Sequence, residues 1–354
     1  MGIISTIFAI NPQEAFWGFR GRYEGLVQII YYFSLTFLSS FLGKKYKKIV
    51  IISILLGGVI QCIYAICQIY EVPGIMRMIN SSNKIVFLSD GFKIKKEVWA
   101  TGVLTNPNFF GSYMILCLAY ALGLYIDEKQ LIKSIIFLGL TGLFLVGLLI
   151  SNATSAAVGI IVVLVYTLVY CIKNKYFKKL LILSLILISV IFGIKALGKT
   201  TLVKDVIKTG EQATEMAKGN IDEKYGTNRL YIWKNTLKIV PPNIIHGVGI
   251  DNFYFAFNGK PLYSQNGKVF YDKAHNEYLQ ILITEGIFCL ISYLLLYGYI
   301  TIKGIKSSFK NKELYFIIPV IGYLVQAFFN ISVIEVAPLF FIALGICINT
   351  SKNY

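Results

Sequence analysis

The chain has 354 residues, of which 56% are hydrophobic and only 15% charged, and its mean hydropathy is +0.66. Soluble domains carry roughly 25% charged residues, so a soluble fold is excluded and an integral membrane protein is expected. The formal net charge of +16 does not point to nucleic acid, because the lysines occur in short clusters between apolar runs, the spacing that the positive-inside rule produces.

Apolar runs long enough to cross about 30 Å of hydrocarbon fall at 25–42, 48–70, 108–126, 132–150, 154–172, 179–196, 276–301, 314–331 and 333–348. Residues 2–11 are a short tenth candidate. They lack the basic region and cleavage site of a signal peptide and look like the tail of a helix, as a truncated start or a divergent first span would leave. The expected fold is an all-α polytopic membrane domain over 1–354 with nine or ten transmembrane helices. Small residues inside several runs (Gly57 and Gly58, Gly139 and Gly142, Ala153 to Gly159) allow close helix approach. The six cysteines lie in or beside apolar runs with no CxxC, and read as buried hydrophobes.

Lysines set the orientation. Lys44, Lys45, Lys47 and Lys48, then Lys129 and Lys133, then Lys173, Lys175, Lys178 and Lys179, then Lys303, Lys306, Lys310 and Lys312 recur after every second span, which places these loops in the cytoplasm. Residues 12–24, 71–107 and the large segment 196–274 then lie outside. All four arginines (Arg20, Arg22, Arg77, Arg229), both histidines (His246, His275) and all three tryptophans (Trp17, Trp99, Trp233) fall in or at the edge of these three regions. An interfacial belt accounts for Trp17 and Trp99. Arginines on the side that the rule depletes fit an anion site, since the guanidinium fork matches phosphate bidentately.

Residues 12–24 read PQEAFWGFRGRYE. Arg20 and Arg22 are two apart and share no helix face, but a glycine-interrupted turn lets both meet one ligand; snorkelling at the interface or pairing with Glu14 or Glu24 are the alternatives. In the NPN triplet, Asn106 fits a helix cap and Pro107 the first helical position, which leaves Asn108 for a ligand or an interhelix contact. Asn152 and Ser155 read as turn caps, and residues 200–226 as an amphipathic helix on the membrane plane followed by a flexible stretch. In GTNRLYIWKNTLKIV, Asn228 is a candidate cap, and Leu230, Trp233, Leu237 and Val240 recur at helical spacing until Pro241 and Pro242 stop the helix.

His275 opens the helix that re-enters the membrane, next to Asn276. The helix dipole opposes an imidazolium there, so a neutral ring suited to a general base is expected; a histidine hydrogen-bonded in a loop is the plainer alternative. His246, before a GVG turn, fits a structural or rim role. Nucleophile elbows, Walker loops and metal-ligand spacings are absent from the sequence.

The stretches TGVLTNPNFFGSY, NRLYIWKNTLKIVPPNIIHGVGIDNF and KAHNEYLQILITEGI, in this order on a many-span chain with its largest outside loop late, resemble the superfamily of O-antigen ligases and Wzy-type polysaccharide polymerases. The resemblance runs from about residue 12 onward and implies a GT-C-like helical fold. It implies an inverting, metal-independent glycosyltransferase without cofactors that takes a glycan from an undecaprenyl-diphosphate carrier to a glycan acceptor outside the cytoplasmic membrane. A chain-length regulator is a further implied partner, and the bilayer is the solvent. Carried over by motif, Arg229 corresponds to the diphosphate-contacting loop arginine, His275 to the base, and Arg20 or Arg22 to a second diphosphate arginine. Asn276, Asn108, His246 and Arg77 are supporting candidates. The chain departs from relatives before NPN, where Thr101 and Gly102 stand where a basic residue is common, and in its short amino end. Polymerase is preferred to ligase because the Lys- and Ile-rich composition suits a low-GC organism lacking an outer membrane; a lipid-linked glycan transporter is the alternative of another class.

Overall fold

The computed structural model describes residues 1–70, 99–104, 106–220, 222–257, 262–264, 267–269 and 271–348. Its helices are α1 (Gly2–Ile7), α2 (Pro12–Trp17), α3 (Leu26–Ser40), α4 (Lys44–Ile69), α5 (Pro107–Asp127), α6 (Leu131–Ser151), α7 (Thr154–Lys173), α8 (Phe177–Ala196), α9 (Leu202–Ala217), α10 (Arg229–Ile239), α11 (Phe253–Phe257), α12 (Glu277–Glu285), α13 (Ile287–Asn311), α14 (Ile318–Ala327) and α15 (Ala337–Ile348). Six of them, α4 to α8 and α13, are long and apolar enough to cross a membrane, and α3, the stretch Leu314–Ala327 and α15 are shorter apolar helices. These fall on the nine expected runs, the one at 276–301 being divided between two helices, and the protein is an all-α, multi-pass membrane protein. The six residues of α1 rise only about 9 Å, so α1 is no tenth span.

Helix α5 is apolar on every side, as a helix surrounded by others must be, and 94% of its apolar window is buried, against 6% for α8 at the edge of the bundle. Its start is built as expected: Pro107 occupies the first turn and the Asn106 side chain accepts a hydrogen bond from the Asn108 N–H at 2.8 Å. Asn152 ends α6 in the left-handed conformation, and its side chain also accepts from the Thr201 N–H at 2.8 Å, tying down the chain just before α9. Helix α9 is the expected amphipathic helix; Leu202 is buried on its inner face. A short antiparallel hairpin that the sequence did not signal pairs β1 (Leu262–Ser264) with β2 (Gly267–Val269), Leu262 opposite Val269.

The run 276–301 is not one helix. It breaks at Gly286, whose φ of 88° belongs to the region open to glycine, and a Cβ there would strike the Ile245 carbonyl oxygen. The break frees the last carbonyls of α12, and the HGVG turn satisfies them. The Val248 N–H donates to Ile283 O at 2.9 Å, the Gly249 N–H to Thr284 O at 3.0 Å, and the Ile287 N–H to Ile244 O at 2.8 Å. Gly247 is required by the same closeness, with φ of 71° and the Thr284 backbone where a side chain would go. The turn and α12 therefore form one unit at the loop end of the bundle. Gly286→Ala is expected to cost about 1–3 kcal/mol through backbone strain and to lower the melting temperature of the detergent-solubilised protein; an unchanged melt would show that the break tolerates a side chain.

Candidate active site

Helix α10 faces the loop before α12. Arg229 and Trp233 are one turn apart and so share a face. The Trp233 indole N–H donates to the Ala274 carbonyl at 3.0 Å, while the Ala274 N–H donates to Gln280 Oε1 at 2.8 Å. Asn276 caps α12 by accepting from the Leu279 N–H at 3.0 Å. With both neighbours pinned, His275 is held at a φ of 51°, a left-handed conformation that a non-glycine residue adopts at a cost. The Arg-x-x-x-Trp spacing thus has a mechanical meaning: the tryptophan fixes the turn that carries the histidine, and the arginine emerges beside it.

The His275 ring makes no hydrogen bond among the described residues and is half-buried. Its pKa is lowered from 6.5 to about 4, first by burial and next by the charge of Arg229, with Asp272 acting in the opposite direction and Arg22 and Lys273 adding to the depression. A neutral imidazole was expected, but the expected cause was the helix dipole. His275 stands one residue outside the cap of α12, and desolvation and neighbouring cations keep it neutral. Arg229 is half-buried, without an ion-pair partner among the described residues, and burial lowers its pKa. An unpaired, partly desolvated guanidinium is suited to an anionic ligand.

Arg22 comes to the same place from the other end of the chain. Its Nε donates to Asp272 Oδ2 at 2.6 Å, and its guanidinium lies 5.7 Å from the centre of the Phe109 ring at the start of α5. Burial works against ionisation of both partners, and their mutual hydrogen bond and charge outweigh it, so the Asp272 carboxyl is held below its usual range and Arg22 above. Neither Glu14 nor Glu24 pairs with Arg22, as the pairing alternative required. Arg20 is exposed on the turn and makes no ion pair among the described residues.

Beneath these groups Lys273 is fully enclosed, 2.6 Å from Asp251 Oδ1 and 3.1 Å from Glu24 Oε2. Burial alone would lower its pKa, but the two carboxylates raise it above 10.5, while burial pushes Glu24 up against the pull of Lys273. The other oxygen of Asp251 accepts the N–H groups of Phe19 at 2.7 Å and Glu24 at 3.2 Å. Asn252 accepts from the Asn11 N–H at 2.7 Å and donates to the Asn11 carbonyl at 3.2 Å. A cavity of about 50 Å³ borders this cluster, lined among others by Glu24, Asp251, Lys273, Glu277, Gln280 and Glu285, with room for a few waters. Sequence reasoning missed Asp251, Asp272 and Lys273. The signal available was an Asp-Asn pair directly after a glycine turn, where side-chain acceptors meet free N–H groups.

The remaining candidates are placed as follows. His246 Nδ1 lies 2.6 Å from the Gly247 carbonyl, and its ring rests 5.5 Å from that of Phe8. The Asn108 side chain is half-buried with no hydrogen bond among the described residues. Asn228 takes the position before α10 but makes no capping bond, its own φ being 66°. The buried stripe of α10 is Ile232, Thr236 and Val240, and Leu237 is exposed; the Thr236 hydroxyl donates to the Ile232 carbonyl at 2.7 Å, which lets a polar residue take the inner position. Arg77 lies outside the described residues.

Residues 139–294 match the O-antigen ligase family model. The match covers under half of the chain, from within α6 to the start of α13. It takes in Arg229, Trp233, His246, Asp272 and His275, while Arg20, Arg22 and Asn108 precede it. No curated protein matches the chain. The region built around α10 and the His275 turn lies within the part that is similar to that family.

Lys273→Met would leave two enclosed carboxyl groups without their cation. The expected cost is about 3–5 kcal/mol, read as a lower melting temperature in detergent, and Asp251→Asn in the same chain should cost less than it does alone. Additive losses would show that the two residues do not act as a pair.

Proposed function

We propose that this protein is a membrane glycosyltransferase that transfers glycan from undecaprenyl diphosphate to a sugar hydroxyl, and that it polymerises repeat units of a surface polysaccharide. The observation that carries this is that Arg22 and Arg229, from segments about 200 residues apart, both lie near enough to His275 for their charges to lower its pKa, with Arg22 bound to Asp272 of the same loop. The two guanidinium groups hold the diphosphate and stabilise the charge that develops on it. His275 takes the proton of the acceptor hydroxyl while that oxygen attacks the anomeric carbon from the side opposite the diphosphate. The anomeric C–O bond breaks with its electron pair going to the diphosphate, so the configuration inverts. Exposure of Arg20 leaves Arg22 as the better second diphosphate residue. The lysine distribution supports a site on the outer side of the cytoplasmic membrane.

Ligation of a finished glycan to another acceptor is a second reading, favoured by the family whose model matches residues 139–294. Purified protein given defined lipid-linked repeat units should yield a ladder if it polymerises and a single addition if it ligates. Movement of the lipid across a vesicle membrane with no new glycosidic bond would instead indicate a transporter.

His275→Ala is expected to lower turnover by about 10²–10⁴-fold, and undiminished product would exclude the general base. Arg229→Lys keeps the charge but loses the fork, with an expected loss of about 10²-fold; full activity would reduce Arg229 to a point charge. Because the base form persists above the lowered pKa, kcat/KM should stay level down through pH 6 and fall only toward about 4, the value for His275. An acid limb near 6.5 would contradict the burial of that ring.

A further inference from the structure

The Arg22–Asp272 contact differs in kind from the Lys273 cluster below it. The Lys273 side chain is 4% exposed and needs its carboxylates to be enclosed at all, whereas those of Arg22 and Asp272 are 23% and 26% exposed. Unlike that cluster, the Arg22–Asp272 pair keeps access to solvent. Its geometry is one-sided. Asp272 takes Nε, the guanidinium carbon lies 5.7 Å from the centre of the Phe109 ring, and the two terminal nitrogens make no hydrogen bond among the described residues. The bond at Nε holds the group by one edge, and the terminal edge remains free for an incoming anion.

Asp272 also stands three residues before His275. The charged groups that act on that ring are Arg229 from α10, Arg22 from the segment between α2 and α3, and Lys273 and Asp272 from its own loop. Asp272 is the anion among these four, and its charge opposes that of the three cations at the ring. A ring that accepts a proton near cations gains from a carboxylate on its own loop.

We propose that Asp272 is a positioning residue of the transfer site, which aims the free edge of Arg22 at the donor diphosphate and provides the negative charge that favours proton uptake by His275. The carboxylate stays ionised throughout: the acceptor proton goes to the imidazole and the leaving electron pair to the diphosphate. This inference rests on the proposed glycosyl transfer.

Two measurements on the full-length protein in nanodiscs test it without knowledge of the glycan. The first is affinity for undecaprenyl diphosphate. Asp272→Ala should weaken it about tenfold, and Asp272→Asn, which keeps an oxygen for Arg22 Nε, should weaken it less. In an Arg22→Gln background Asp272→Ala should weaken it no further. The second is the titration of His275 by deuterium exchange at the imidazole C2–H, resolved by peptide mass, with His246 as internal reference. Asp272→Asn should move the His275 midpoint to lower pH and leave His246 in place, a change that a merely structural role would not produce.

An equal loss of affinity with and without Arg22, or a His275 midpoint that stays or rises in Asp272→Asn, would overturn the inference. Should Asp272→Ala fail to fold, the isosteric Asp272→Asn decides both points, its affinity being compared with and without Arg22. The outcome is separable from that of the parent reading. An active His275→Ala protein would remove the general base, and an inactive one beside unaffected Asp272 variants would remove only the role of Asp272.

Discussion

A lysine with almost no access to water, set between two carboxyl groups from segments more than 200 residues apart, holds the loop end of this protein together. Lys273 belongs to the turn before α12, Glu24 to the stretch before α3, and Asp251 to the loop after the HGVG turn. The lysine charge is tolerable in so enclosed a place only because the carboxyl groups are there. Asp251 also receives two backbone N–H groups of the 12–24 segment, so the same residue fixes the chain that carries Arg22. The candidate site above inherits its geometry from this junction: Arg22 is attached to one side of it, and Asp272 and His275 to the other.

The broken helix is the second element of the frame. If residues 276–301 ran as one helix, no carbonyls would be free at Ile283 and Thr284, and the HGVG turn would have nothing to bind. The break lets a loop be fastened to a membrane helix by main-chain hydrogen bonds, which depend little on side-chain identity. Helix α10 is then laid over α12, and Trp233 closes the arrangement through the Ala274 carbonyl. The cost of holding His275 in a left-handed conformation is borne by these surrounding contacts.

Much of the fold was legible in the sequence because apolar length is a one-dimensional property. The nine runs were found, as were the start of α5 at Asn106 and Pro107 and the amphipathic α9. Errors arose where local periodicity had to predict a neighbour. Leu237 looked like part of the inner face of α10, yet the helix turns Thr236 inward because its hydroxyl is satisfied by its own helix. The interruption at Gly286 was hidden inside a continuous apolar run, since hydropathy does not register a change in φ.

In the candidate site, Arg229 and His275 could be singled out because arginine and histidine are rare in this chain and stand at helix starts. Composition and the order of residues by themselves determined a multi-pass helical protein with its uncommon polar side chains gathered in a few loops. Only the tertiary structure separated Arg20 and Arg22, two residues apart on one glycine-rich turn: Asp272 and Phe109 lie against the second, while the first is exposed. It alone revealed Lys273, Glu24 and Asp251 as one cluster. Lysines and carboxylates are common, and an ion pair leaves no local pattern when its partners are separated by 249 residues, as Lys273 and Glu24 are. Desolvation, which sets the charge state of His275, is likewise a property of the packed molecule and not of any stretch of sequence.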